Sequence, residues 1–204
     1  MSSIFNPKDQ DNIDRKIAVG LERIAQVLKS LIWLESTTSG LSPIQIQFLT
    51  LLLHTSERIS IGFLASHFAL TSATVSDAVT ALERKGLIKR ERKKEDKRTV
   101  FVSLSRKGKE VARKLSGWAN VLTDKISDLA DVQKTTMMLG LIHIIDRFQD
   151  DGLIHQPGTC PTCKFYAQDL HEENRLRRCT KFTIALSDAD LRIDCPEHQP
   201  RQES

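Results

Sequence analysis

The sequence lacks the features that would place it in a membrane or in a common enzyme class. It has no run of about eighteen apolar residues, and residues 1–14 are polar rather than basic and then apolar, so neither a membrane span nor a secretory leader is expected. It has no phosphate loop, no dinucleotide fingerprint and no Ser-His-Asp pattern. Apolar residues make up 40% and charged residues 27%, which is enough for a core, so we expect a cytoplasmic globular protein.

Positive charge is concentrated in one short part of the chain. Residues 84–114 contain fourteen basic and four acidic residues, a net charge of +10, whereas the whole chain carries +4. A cluster of this kind is typical of a surface that contacts a polyanion, because neutralised phosphates release condensed counterions. A solvated charged face is the simpler interpretation of a charge run, so its position in the fold has to decide.

Several segments have the periodicity and the end signals of helices. Over Ile13–Glu35 the apolar residues recur every three or four positions, as in a helix that packs on a partner helix, either of its own chain or of a second copy. Ser42, Pro43 and Gln45 predict the capped start of a helix that runs to His54. Beyond Ser105 the spacing predicts one long helix reaching Ile126, and a last helix over Asp131–Asp151.

The region around Thr71 has the pattern of a helix-turn-helix followed by a hairpin. A short apolar helix ends at Ala69-Leu70, and Thr71 opens a second helix whose opposite face carries Ala73, Asp77, Thr80 and Arg84. Gly86 ends this helix, and two β-prone runs, 87–90 and 99–104, flank a polar stretch. The expected hairpin tip carries Arg92, Lys93, Lys94, Lys97 and Arg98. The basic cluster thus forms the wing of a winged helix.

The motif Asp96-Lys97-Arg98, followed by a β-run and then Leu-Ser-Arg-Lys-Gly at 104–108, resembles the MarR family of bacterial transcription regulators. Residues 82–88, Leu-Glu-Arg-Lys-Gly-Leu-Ile, also resemble the end of that family's recognition helix. The family has Thr in the position of Ser105. The resemblance covers about residues 13–151. It implies a mainly α fold, a winged helix-turn-helix with long dimerisation helices, and hence a homodimer bound to a double-stranded operator.

The resemblance also implies which residues meet DNA. The recognition helix enters the major groove and the wing enters the minor groove. Asp77 stands where the family often has a basic residue, so the family's preference for particular DNA bases cannot be carried over to this sequence. Members of the family commonly respond to small-molecule effectors, but the resemblance assigns no residue of this sequence to an effector site. The expected contacts are Thr71, Ser72, Ala73, Thr74, Ser76 and Asp77 on the helix, with Arg98 in the minor groove and Asp96 holding the wing; Thr80, Arg92, Lys93, Lys94 and Lys97 join them from the helix face and the hairpin tip.

All four cysteines lie beyond the last long helix, in a segment with few large apolar residues. Such a segment buries little surface and needs a cross-link. Cys160 and Cys163 have the spacing of a metal knuckle, and Cys179 and Cys195 can complete a four-thiolate zinc site. An iron–sulfur cluster and a thiol switch remain alternatives. His198 is a possible substitute ligand.

These observations predict three parts of the chain: a frayed or disordered N-terminus over 1–12, a winged-helix and dimerisation domain over 13–151, and a metal-binding or redox tail over 152–204. The function we expect is that of a DNA-binding transcription repressor rather than an enzyme. Two alternatives stay open. One is a thiol oxidoreductase that uses Cys160 and Cys163, although no βαβ alternation accompanies them. The other is a protein-interaction module.

Overall fold

The computed structural model of the chain describes residues 3, 5–6, 12–55, 58–92, 99–154, 158–168 and 176–201. By its contacts the chain divides into two units: one comprises residues up to Ser60 with Ser76–Thr123, the other Ile61–Val75 with the residues from Asp124 on. The expected mainly α winged-helix class is confirmed; the three-part division stays a prediction. The helices are α1 (Ile13–Ser39), α2 (Pro43–His54), α3 (Ile61–His67), α4 (Ser72–Arg84), α5 (Arg106–Leu115), α6 (Asn120–Ser127) and α7 (Asp131–Asp150).

The start and end signals of the first two helices act as the sequence predicts. Gly40 ends α1 in the left-handed conformation, at a φ of 66°, which glycine adopts without strain. The Ser42 hydroxyl then accepts a hydrogen bond from the amide of Gln45 at 3.4 Å, and the Gln45 side chain accepts one from the amide of Ser42 at 3.2 Å. This reciprocal pair satisfies two amides that the start of α2 leaves free. The predicted capping box is confirmed.

A continuous apolar core holds the first unit together. Ile46, Phe48 and Leu49 of α2 are fully buried, and α2 packs along α5. Leu82 of α4 and Ala112 of α5 are also completely buried. Burial of side chains of this size stabilises a fold by about 1.5 to 3 kcal/mol each. The core therefore joins helices that are far apart in the sequence.

The wing contains one more strand than the sequence predicts. Strands β2 (Ile88–Arg92) and β3 (Val100–Leu104) form the expected antiparallel hairpin. Strand β1 (Ile59–Ser60), for which the sequence pattern gives no signal, pairs with the other side of β3. Two residues are too short for an alternating pattern, so only the structure identifies this strand.

The prediction of one long helix from Ser105 to Ile126 is wrong. Helix α5 ends at Leu115, and a turn precedes α6. Within this turn the amide of Trp118 bonds the Leu115 carbonyl and that of Asn120 bonds the Gly117 carbonyl, both with the tighter three-residue spacing. Gly117 has a low helix propensity, so the chain bends here although the apolar spacing continues.

The second unit contains α3, the first turn of α4, α7 and the cysteine-bearing segment. Gly152 ends α7 at a φ of 69°. Beyond it lies a sheet that the sequence analysis did not predict, with antiparallel strands β4 (Tyr166–Gln168), β5 (Arg177–Cys179) and β6 (Ile184–Leu186). A short 3₁₀ helix, Asp188–Asp190, follows and contacts α7. Among the described residues, no helix has the length and apolar content needed to span a membrane.

Candidate nucleic-acid interface and cysteine cluster

The first turn of α4 exposes small polar side chains. The Thr71 hydroxyl accepts a hydrogen bond from the amide of Thr74 at 3.1 Å and lies 2.9 Å from the Thr74 hydroxyl. Thr71 therefore caps the helix, as the sequence predicts. Ser72 and Ala73 are exposed beside them. All four residues are accessible to a ligand in the groove of a duplex, and their contact with DNA stays a prediction.

Further along α4 the predicted contact residues differ in their surroundings. Asp77 is exposed, whereas Ser76 and Thr80 are half-buried. The Thr80 hydroxyl donates to the Ser76 carbonyl at 2.7 Å and accepts a hydrogen bond from Arg90 at 2.5 Å. The hydroxyl of Thr80 is thus engaged within the protein, which leaves Asp77 as the exposed member of this group.

Arg90 connects the wing to α4. Its guanidinium group donates to the Ser76 carbonyl at 3.0 Å and to Thr80, and its Nε lies 3.3 Å from a carboxylate oxygen of Glu83. The side chain is 26% exposed, so these bonds are partly shielded from water. Because one planar group bonds several positions on α4, it sets the orientation of strand β2 against that helix. Sequence reasoning counted Arg90 only as part of the basic cluster and missed this role.

The described part of the wing ends at Arg92, which is exposed. Arg92 pairs with Val100 across the hairpin, so the ribbon is regular up to its tip. One acidic residue of the ribbon is neutralised, since Arg58 lies 2.8 Å from Glu91. Five predicted contact residues lie outside the described residues: Lys93, Lys94, Asp96, Lys97 and Arg98.

The Leu-Ser-Arg-Lys-Gly motif joins the start of α5 to the end of α4. The Ser105 hydroxyl accepts from the Gly108 amide at 2.9 Å and donates to the Gly86 carbonyl at 2.7 Å. Gly108 lies so close to the Leu87 carbonyl that a Cβ at this position would overlap it. The motif therefore requires a hydroxyl at position 105 and glycine at position 108, because the two backbones approach closely.

Comparison with known proteins agrees with this geometry. Residues 41–100 match the model of the MarR family. This segment is therefore similar to the winged helix of the MarR family. The transcriptional regulator BldR from Sulfolobus solfataricus is 26% identical, with a TM-score of 0.54 over 68% of this chain and 99% of BldR.

Two further structures share the fold. They are S. aureus MepR in its DNA-binding conformation, 20% identical with a TM-score of 0.60 over 65% of this chain and 98% of MepR, and Streptococcus pneumoniae FabT in complex with DNA, 19% identical with a TM-score of 0.55 over 66% and 98%. No curated protein matches the sequence. About a third of the MarR-like chain has no counterpart in these structures.

The four cysteines, in contrast, come together within the second unit. Cys160, Cys163, Cys179 and Cys195 all line one cavity of about 20 Å³, and none of them forms a disulfide. Cys163 is buried and the other three are half-buried. Among the described residues, no three His, Cys, Asp or Glu side chains are already arranged to hold a metal ion. The thiols thus share a cavity without forming a finished coordination sphere, and the predicted metal role stays a prediction.

The surroundings of Cys160 change the acidity of its thiol. Burial raises the pKa of the Cys160 thiol above its ordinary value, the neighbouring Cys195, Cys163 and Cys179 raise it further, and the backbone amide of Arg192 lowers it. That amide donates to the Cys160 sulfur at 3.2 Å. Redox-active cysteines are typically exposed and have a lowered pKa. This environment does not favour a thiol switch at Cys160.

A chain of polar contacts links α7 to the knuckle. The buried Thr159 hydroxyl donates to Asp146 of α7 at 2.6 Å and lies 3.3 Å from the hydroxyl of Thr162. Thr162 in turn lies 3.0 Å from Nε2 of His198. The His198 ring packs against Gly158, where a Cβ would overlap it. His198 therefore supports the knuckle from outside, and it does not line the cavity of the four thiols.

Proposed function

We propose that the protein is a sequence-specific double-stranded DNA-binding transcription regulator that acts as a homodimer and represses its target genes. The MarR-family segment and the fold shared with MepR in its DNA-binding conformation and with FabT bound to DNA support this proposal. The observation that carries it is the link between Arg90 and α4, because it holds a basic ribbon beside the helix that would enter the major groove.

Charge supports the same function. The ribbon and nearly all of α5 belong to residues 84–114, the segment with a net charge of +10. Exposed Arg92 lies at the described end of the ribbon, and exposed Asp77 lies on α4. Phosphate contacts by the basic residues would supply affinity, and the α4 side chains would supply base preference.

Exposed apolar residues on the long helices support the homodimer. Helix α1 leaves Ile17, Val27 and Leu34 exposed at 49%, 57% and 69%. In the other unit, α7 exposes Val132 at 72%. Apolar residues exposed along a long helix mark an interaction surface. A second copy of the chain would cover these faces, as the resemblance to the family implies.

We also propose that the cysteine-rich segment stabilises the regulator through a bound metal, with redox sensing as the alternative. A thiol oxidoreductase is less well supported, because Cys160 and Cys163 lie in a turn beside a bridge to Pro200 rather than at the start of a helix next to a parallel sheet. No separate observation in the described residues favours the alternative that the chain is a protein-interaction module.

Binding to duplex DNA at two salt concentrations tests the proposal. Promoter fragments labelled with a fluorophore would be titrated with the full chain, with Arg92→Ala and Arg98→Ala variants, and with Lys125→Ala on α6 as a matched loss of charge. We expect each wing variant to reduce the slope of log affinity against log salt by about one and the control to leave it unchanged. No binding to any fragment would favour the interaction module. Turnover of a disulfide substrate that is lost in Cys163→Ser would favour the enzyme.

Repression needs its own readout. A reporter gene under a promoter fragment that binds the protein should be less active when the protein is present, and the Arg98→Ala variant should restore its expression. Higher reporter activity in the presence of the protein would identify an activator instead.

A further inference from the structure

Backbone pairing brings the four cysteines together although fifteen residues separate Cys163 from Cys179 and Cys179 from Cys195. Cys179 at the end of β5 pairs with Tyr166 of β4, which follows the knuckle. The amide of Cys195 bonds the Gly158 carbonyl at 3.3 Å, which brings the last cysteine to the beginning of the same knuckle. Three distant parts of the chain thus converge on one point.

The cavity that the cysteines line is about large enough for a single water molecule or a single ion. Its volume is about 20 Å³, and a cavity of roughly 10 to 15 Å³ is needed for a single water molecule. The side chains of Phe165, Tyr166, Phe182 and Leu186 line the same cavity. These four side chains give the cavity a partly apolar lining, and Phe182 is 47% exposed.

Charged side chains and a backbone amide lie near the cluster. Lys181 and Glu197 both line the cavity and form an ion pair at 3.0 Å, and the Lys181 ammonium group lies 5.5 Å from the centre of the Phe165 ring. Lys164 lies 5.0 Å from the same ring, and the Arg192 amide donates to the sulfur of Cys160. Four thiolates around a divalent ion leave two negative charges, which nearby ammonium groups and amide donors stabilise.

We propose that Cys160, Cys163, Cys179 and Cys195 bind one zinc ion as four thiolates, and that this ion holds the cysteine-rich segment against α7. Four soft sulfur ligands in a closed site select zinc among the common single ions, with tetrahedral geometry and bonds of about 2.3 Å. The proposal deepens the metal-dependent part of the proposed function and does not depend on DNA binding.

The fold around the site explains why an ion is needed. In the described segments 158–168 and 176–201, the buried apolar residues are Cys163 and Leu191. Among the described residues, the contacts with α7 include the Thr159–Asp146 hydrogen bond and the packing of the 3₁₀ helix. Such a small core cannot offset the conformational entropy lost by ordering these residues, so a cross-link has to supply the difference.

Metal and thiol analysis of the full chain, purified without added metal, tests this proposal. We expect about one zinc per chain, no iron or sulfide, and four thiols that react with a thiol reagent only after chelation. Cys179→Ser and Cys195→Ser should lose most of the zinc, whereas His143→Gln, which removes an exposed ligand type from α7, should keep it. Iron with sulfide, or four reactive thiols without any metal, would overturn the proposal.

A second measurement covers the case in which the serine variants fail to fold. Cobalt exchanged into the wild-type chain should give the intense visible absorption of a tetrahedral thiolate site together with sulfur-to-cobalt charge transfer. A weak octahedral spectrum would contradict four-thiolate ligation. Because neither measurement uses DNA, loss of operator binding and loss of zinc binding are separate results.

Discussion

Two regions of the molecule are stabilised by different means: the winged part of the first unit, which lies within residues 41–115, and the cysteine-rich segment of the second unit, which lies beyond Gly152. The winged part has fully buried residues on three helices and a strand, including Phe48, Leu82, Ala112 and Val102. The cysteine-rich segment buries Cys163, Leu191 and Thr159 among its described residues. A fully buried side chain contributes much to stability, whereas side chains that stay largely exposed contribute little each, so a segment with few buried residues needs another source of stability. The fold of the winged part is therefore recognisable from its apolar pattern, whereas the cysteine-rich segment is recognised by its four cysteines.

The largest effect of a single substitution is expected in the core of the winged part. Phe48→Ala should cost about 3 to 5 kcal/mol, because Phe48 is fully buried and the cavity cannot close. Phe182→Ala, in the cysteine-rich segment where Phe182 is 47% exposed, should cost less than about 1.5 kcal/mol. Urea unfolding followed by circular dichroism measures both. Equal costs would break the comparison.

A smaller but still clear effect is expected at Gly108. Gly108→Ala forces a Cβ against the Leu87 carbonyl, and the backbone has to move, at a cost of about 2 to 3 kcal/mol. Gly140→Ala on α7 is the control, since no atom lies within 4 Å of the added carbon, and it should be neutral or stabilise the helix by up to about 1 kcal/mol. Thermal unfolding of the two variants distinguishes them. An unchanged melting temperature for Gly108→Ala would rule out the close approach.

Loss of Arg90 should weaken both the fold and DNA binding. Arg90→Met keeps the apolar stem but removes the bonds to Ser76 and Thr80, which we expect to cost about 1 to 2 kcal/mol after allowance for partial exposure. Affinity for the operator should also fall, although Arg90 itself points at α4, because the ribbon loses its orientation. If affinity fell while the salt slope also dropped by about one, Arg90 would instead be a phosphate contact.

The smallest effects on stability are expected at two serine side chains, one in the winged part and one in the cysteine-rich segment. Ser42→Ala removes the capping box of α2 and should cost about 1 kcal/mol in urea unfolding. Ser187 makes a similar bond to Asp190 at 2.6 Å, but both residues are exposed in the cysteine-rich segment. Ser187→Ala should leave the unfolding of the winged part unchanged. A matching shift in both variants would show that the two regions unfold together.

Much of the winged part was predictable because its signals are local and agree with each other. Ser42 and Gly86 mark helix ends through their own conformational preferences, and the structure confirms both. Val75, Val79 and Leu82 are buried on the side of α4 opposite the exposed Ala73 and Asp77, as helical periodicity requires.

Other features depend on partners that are distant in the sequence. Strand β1 exists because β3 has a free edge, and the role of Arg90 depends on where α4 lies. The break at Gly117 contradicts the apolar spacing, because backbone preference outweighs periodicity there. The sheet β4–β6 is made of three-residue strands, which are too short for an alternating pattern.

The cysteine cluster was predictable in its membership and not in its geometry. Spacing alone suggested that Cys160 and Cys163 act together, and the pairing of Cys179 with Tyr166 shows how a third cysteine joins them. That His198 bonds Thr162 rather than lining the cavity could not be read from its position beside Cys195. Contacts of this kind follow from the turns around the site, which the sequence pattern does not specify.

Limited proteolysis of the full chain before and after chelation tests the central contrast most directly. If the proposed zinc is bound, the chain should resist cleavage in both regions. After chelation we predict cuts confined to the segment beyond Gly152, with the winged part intact by mass spectrometry. Cleavage within Leu41–Leu115 on chelation, or no change anywhere in the chain, would contradict the account.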